Sequence, residues 1–118
     1  MAPAIKTLSV WRGNSEVFDF RLKQSDKTAV DLTGYELVLT IVHGGGTLTR
    51  STADDGLQMD DPTTGEVICK LTPAETRLIC DSPIDGARYE LEVRSADVTE
   101  QRTILAGKIK IEGGANGD

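Results

Sequence analysis

Apolar and polar residues alternate along most of the chain, and this two-residue period predicts an all-β protein. In residues 66–71, Val67, Cys69 and Leu71 share one face, while Glu66 and Lys70 share the other with Ile68 between them. The same reading sets Phe18, Phe20 and Leu22 against Asp19 and Arg21, and puts Tyr89, Leu91 and Val93 on the core side of a later strand. Residues 35–42 predict a long strand at the centre of the fold. There Leu37, Leu39 and Ile41 face one way and Val38 and Val42 the other, so this strand is expected to be covered on both sides. The last strand, about residues 103–112, sets Leu105, Ile109 and Ile111 against Lys108 and Lys110. Shorter strands are expected at residues 5–11, at residues 47–50, and around Leu57 and Met59.

Turn-forming residues separate these segments, notably Arg12-Gly13-Asn14-Ser15, the polar stretch 24–28 and the Asp-, Gly- and Thr-rich stretch 51–64. One helical turn, near 73–80, interrupts the strands. Thr72 caps it, Pro73 suits its first position, and Glu75 lies three residues after the cap, which is the pattern of a capping box. About seven to eight short strands with this single helical turn predict an antiparallel β-sandwich. Residues 1–112 are expected to form one domain, followed by a flexible glycine-rich tail at 113–118. If the last two strands form a hairpin around the 95–101 loop, Glu90 and Glu92 face Lys108 and Lys110. Such pairs contribute roughly 0.2 to 1 kcal/mol each and help set register.

Composition narrows the function classes. A 118-residue domain buries roughly two-thirds of its unfolded surface and needs no metal or disulfide staple. Thirteen basic and nineteen acidic residues give a net charge of -6, and Arg12, Arg50, Arg77 and Arg102 are scattered, so no nucleic-acid partner is expected. No apolar run approaches the ~20 residues of a membrane span, and residues 1–8 lack the pattern of a signal peptide. No membrane partner is expected, and the chain is expected to be made in the cytosol and to stay soluble. Cys69 and Cys80 lack zinc spacing. Cys69 reads as a small core residue on the face of Val67 and Leu71, and a bond to Cys80 is the other reading, disfavoured in a reducing compartment.

The motifs with chemical associations read as structure. His43-Gly44-Gly45-Gly46 repeats a string that supplies oxyanion-hole amides in some lipases, but the chain has no Gly-x-Ser-x-Gly elbow. A glycine-rich link between strands is the better reading. His43 is the only histidine, and nothing in the spacing brings it to Ser51 or Cys80 as base to nucleophile. Asp54, Asp55, Asp60 and Asp61 could suggest calcium, but the alternating ligand pattern is missing, and tight turns use the same residues. A hydrolytic carboxylate pair would need an aromatic-lined sugar cleft, and the chain has one Trp, two Tyr and two Phe. The chain is therefore expected not to be an enzyme and to bind no metal or cofactor. Trp11, at the end of the first strand, reads either as a partner anchor or as a cap on the core.

Five segments carry a likeness through their order: Asp31-Leu32-Thr33-Gly34-Tyr35, residues 61–67, residues 71–76, Tyr89-Glu90-Leu91-Glu92-Val93, and Leu105-Ala106-Gly107-Lys108-Ile109. In that order the chain resembles small structural proteins of tailed bacteriophages and the N-terminal domains of phage baseplate upper proteins. The resemblance spans residues 17–111 and implies an immunoglobulin-like sandwich in the virion, present in several copies or as a symmetric homo-oligomer. Its partners would be other virion proteins of the tail, baseplate or neck. The expected contact surfaces are the turn with His43, Gly44, Gly45 and Gly46, the loop with Asp54 and Asp55, and Trp11. The alternative, from another class, is a carbohydrate or host-surface binding module.

Overall fold

Alternation with one apolar face requires each strand to bury that face, and two sheets stacked face to face achieve it. A computed structural model describes residues 4–24, 26–44, 46–54, 56–80, 87–95 and 101–112, with only the backbone described at Ala4 and Cys80. The strands are β1 (Ala4–Ile5), β2 (Leu8–Trp11), β3 (Glu16–Arg21), β4 (Tyr35–His43), β5 (Gly46–Ser51), β6 (Leu57–Gln58), β7 (Glu66–Leu71), β8 (Arg88–Ser95) and β9 (Gln101–Glu112). A short 3-10 turn, Pro62–Thr64, and helix α1 (Pro73–Cys80) complete the order. The larger sheet runs β1-β9-β8-β4-β5, with β2 also on β9, and the smaller runs β3-β7-β6. The expected all-β sandwich is present. The pairings of β1 and β2 with β9 are parallel, and the other strand pairings described are antiparallel. The predicted tail at 113–118 and the loop at 81–86 lie outside the described residues.

The core lies where the inner faces meet. Leu37, Leu39 and Ile41 of β4 stand beside Val93, Leu91 and Tyr89 of β8, all buried. Phe18 and Phe20 stand opposite Cys69 and Val67 on the facing sheet, and the Phe20 and Tyr89 rings are 6.3 Å apart. β8 lies in the middle of the large sheet and β4 next to its edge strand. The expected second covering of β4 is not found along its length, because Val42 is 47% exposed. The predicted Glu–Lys pairs of the last hairpin are also absent. Glu90 pairs with Ala106, Glu92 with Thr103, and Lys108 stands opposite Arg88, with a register shift between Leu91 and Glu92. The register of the hairpin itself, already set on the regular side of the irregularity, keeps the glutamates and lysines from facing each other, and the charges pair within strands instead, as Arg94–Glu92 at 2.6 Å and Lys110–Glu112 at 3.2 Å.

Both edges of the large sheet are held by contacts beyond the strand ladder. The predicted first strand is broken at Lys6 and Thr7, where the chain dips toward β9. The Lys6 amide donates to the Ala106 carbonyl at 2.9 Å, and the Tyr89 hydroxyl donates to the Lys6 carbonyl at 2.6 Å. Gly107 leaves the room for this, since a Cβ there would overlap the Lys6 carbonyl. Downstream, Leu8 and Val10 enter the core.

The capping box forms as predicted. The Thr72 amide donates to Glu75 Oε1 at 2.9 Å, and the Glu75 amide donates to Thr72 Oγ1 at 3.2 Å. The other Glu75 oxygen pairs with Arg50 of β5, so one carboxylate both caps the helix and ties it to the edge of the large sheet. Thr76, fully buried, accepts from the Gly13 amide at 3.1 Å and donates to the Asn14 carbonyl at 2.9 Å, which fixes α1 on the β2–β3 turn.

Two stability predictions test these edge contacts. Gly107→Ala is expected to cost about 1–3 kcal/mol by overpacking, and Tyr89→Phe about 0.5–1.5 kcal/mol by losing one hydrogen bond. Urea unfolding measures both, and hydrogen exchange is expected to show the loss of protection concentrated in residues 4–11. At the other edge, Glu75→Ala removes cap and ion pair together and is expected to cost about 1–3 kcal/mol. Glu75→Gln keeps an acceptor for the Thr72 amide and is expected to cost less in the same measurement.

Candidate functional site

The candidate contact residues fall on separate parts of the sandwich. Leu8 and Val10 point inward, so Trp11 at the end of β2 points outward, and it is 48% exposed. It does not cap the core. It pairs with Glu112 at the edge where the chain crosses to β3. Asp54 lies on the crossover from β5 to β6, at the opposite edge. His43, Gly44 and Gly46 belong to the β4–β5 hairpin at the end of β4, three strands from Trp11 in the order β2-β9-β8-β4. Gly46 has φ of 142°, a conformation that favours glycine and fits the turn reading of this string. Gly45 and Asp55 lie outside the described residues.

The hairpin does not assemble a nucleophile and base. His43 pairs with Gly46, whereas Ser51 pairs with Val38, five residues back along β4. At the strand rise this separates them by about 17 Å. The Ser51 hydroxyl instead accepts from the Asp54 amide at 3.3 Å. Cys69 is a free buried thiol whose pKa burial pushes up to about 11, so it is protonated at neutral pH, and the Cys80 side chain lies outside the described residues.

The acidic loop residues are occupied by turn chemistry. Asp54 accepts from the Ser51 amide at 3.1 Å and from the Gly56 amide at 2.8 Å, and these bonds, the Gly56 one first, hold its carboxyl below the ordinary value. Asp61 accepts from the Thr63 hydroxyl at 2.6 Å and from its amide at 3.0 Å, capping the 3-10 turn. The same Asp-x-Thr lock recurs at Asp26 with Thr28 and at Asp31 with Thr33. The locks at Asp31 and Asp61 are neighbours, since the Leu32 amide donates to the Pro62 carbonyl at 2.8 Å. Among the described residues no group of three or more His, Cys, Asp or Glu side chains could hold a metal ion.

A shallow depression on the outer face of the large sheet was not foreseen. It is lined by Thr40, Val42, Arg88, Glu90, Ala106 and Lys108, with Tyr89 and Gly107 between them. Its lining comes from three strands whose register no local pattern encodes. The Tyr89 ring points away from it into the core, so it offers no aromatic face to a sugar.

The Asp-x-Thr locks predict an acid response. Folding lowers the Asp31 and Asp61 carboxyls from 3.8, chiefly through the Thr33 and Thr63 hydroxyls. Their stabilisation is therefore fully present above pH 3.8 and is lost as pH falls through the lower folded values. The double variant Asp31→Asn and Asp61→Asn, which keeps acceptor oxygens but cannot titrate, is expected to flatten the acid limb of a urea-midpoint profile. Neither a family model nor a curated protein matches the chain.

Proposed function

We propose that the protein is a non-enzymatic structural component of a tailed-bacteriophage particle. In this reading it is an immunoglobulin-like adaptor, present in several copies, that joins neighbouring proteins of the tail, baseplate or neck. The observation that carries the reading is the placement of the contact candidates: Trp11 stands at one edge of the sandwich and Asp54 at the other. Surfaces on opposite edges suit a module held between two neighbours, whereas a catalytic or glycan site gathers its residues in one concavity. The strand order supports the implied fold, because β9-β8-β4-β5 facing β3-β7-β6 follows the order of variable-type immunoglobulin sandwiches. The ordered segments from Asp31 to Ile109 supply the link to phage structural proteins.

The carbohydrate-binding alternative requires an exposed aromatic in a groove, and the depression on the large sheet has none. Mass spectrometry of purified particles is expected to detect the chain at several copies per particle. Deleting its gene is expected to arrest assembly or remove a neighbouring protein from the particle. A chain absent from particles, with normal assembly after deletion, would refute the proposal, and binding of the isolated domain on a glycan array would favour the alternative.

A further inference from the structure

We propose that β5 is a self-pairing edge, which joins antiparallel to β5 of a second copy about a two-fold axis at Leu48. This deepens the multi-copy reading above and takes from it only the presence of a second copy. Among the described residues β5 has β4 on one side and no strand on the other. Its backbone polarity follows from the hairpin. His43 pairs with Gly46 across two residues, and a two-residue hairpin closes on a hydrogen-bonded pair. Hydrogen-bonded and non-hydrogen-bonded pairs then alternate, so Gly46, Leu48 and Arg50 turn their amides and carbonyls toward β4. Thr47, Thr49 and Ser51 turn theirs to the open side. The Ser51 amide bears this out, since it donates away from β4, to the Asp54 carboxylate at 3.1 Å.

Asp54 thereby selects the register. An axis at Thr49 would place Ser51 against Thr47 and demand the Ser51 amide, which Asp54 already holds. An axis at Leu48 places Thr47 of each copy against Thr49 of the other, and every open amide and carbonyl of these two residues finds a partner. The side chains agree with the same register. Half-buried Leu48, which already packs on the core, meets its own copy on the inner face. Threonine faces threonine on the outer face, a favourable cross-strand pair. Arg50 falls opposite Gly46, so no like charges oppose each other and its ion pair with Glu75 is left in place.

Of the usual protections of an exposed edge β5 has one, an inward-pointing charge, and Glu75 neutralises it. β5 has no proline, and its one charged residue is turned inward and paired. By contrast, the edge strand β3 carries Asp19 and Arg21 in ion pairs on its exposed face, and β6 has only two residues. Two short strands bury less than the ~1,200 Å² of a standard interface, so the contact suits copies held close together.

Sedimentation equilibrium of the full chain at about 1 mM is expected to show a dimer. Thr49→Pro is expected to be monomeric with unchanged circular dichroism and melting, because the Thr49 amide faces solvent in the single copy and proline is tolerated there. Under mild oxidation Leu48→Cys is expected to form a disulfide-linked dimer, while Thr49→Cys and the parent chain do not. A monomer at that concentration, a dimer that survives Thr49→Pro, or cross-linking at Thr49 in place of Leu48 would overturn the proposal. A dimer that survives Thr49→Pro leaves the multi-copy reading standing through another surface. A Leu48-linked dimer of a chain absent from particles leaves this interface standing without the virion role.

Discussion

Where Tyr89 bonds to the Lys6 carbonyl, β9 has no side chain at Gly107, and this small vacancy shapes one whole edge of the sandwich. A side chain at Gly107 would hold the N-terminal segment away from the sheet, since the inner face of β9 would be filled at that level. With the vacancy, the chain dips inward at Lys6, the carbonyl exposed by the break is satisfied by a phenol anchored in the core, and the strand resumes at Leu8 in parallel register. Leu8 and Val10 then close the core on that side, and the turn that follows presents Gly13 and Asn14 to Thr76 of the helix. A buried hydroxyl left without its acceptor costs more than the bond itself contributes, so the Tyr89 phenol and the Lys6 break are coupled.

The opposite edge is closed with charge. Arg50 reaches across from the large sheet to Glu75, whose other oxygen caps the helix. The two roles of Glu75 tie a local feature, the capping box, to a long-range one, the attachment of the helix to the edge of the large sheet. The aspartates follow a related rule. Asp26, Asp31, Asp54 and Asp61 each direct an oxygen at backbone or hydroxyl donors of their own loop, so these four carboxylates serve turn geometry. For the functional reading this means that the loops are stiffened acceptors of shape, with their carboxylates already engaged. Trp11 and the open strand β5 remain as surfaces on which a neighbour could act.

The candidate surfaces were only partly legible in the sequence. Trp11 beside a turn and the threonine-rich returning strand could be seen as peripheral, because strand ends and polar alternation are local properties. That Trp11 and Asp54 stand on opposite edges could not be seen, because it depends on which strands neighbour which. The depression between Thr40, Glu90 and Ala106 was invisible for the same reason. The open side of β5 is made of amides and carbonyls, which no side-chain pattern encodes directly, and Asp54, which holds the Ser51 amide, marks where it stops.

By itself, the sequence determined the strands, the helix and the capping box. It also determined the inward faces: Leu37, Leu39 and Ile41, the Phe18 and Phe20 pair, and Val67, Cys69 and Leu71 are buried as their alternation requires. These follow from periodicity and capping, which act over a few residues. Tertiary structure alone decided the parallel pairing of the N-terminal strand, the break at Lys6, and the hairpin register that sets Glu90 against Ala106 and Lys108 against Arg88. It also decided the union of Arg50 with Glu75. Each of these depends on a contact between residues distant in the chain, where a single missing side chain or a register shift of one residue outweighs any local preference.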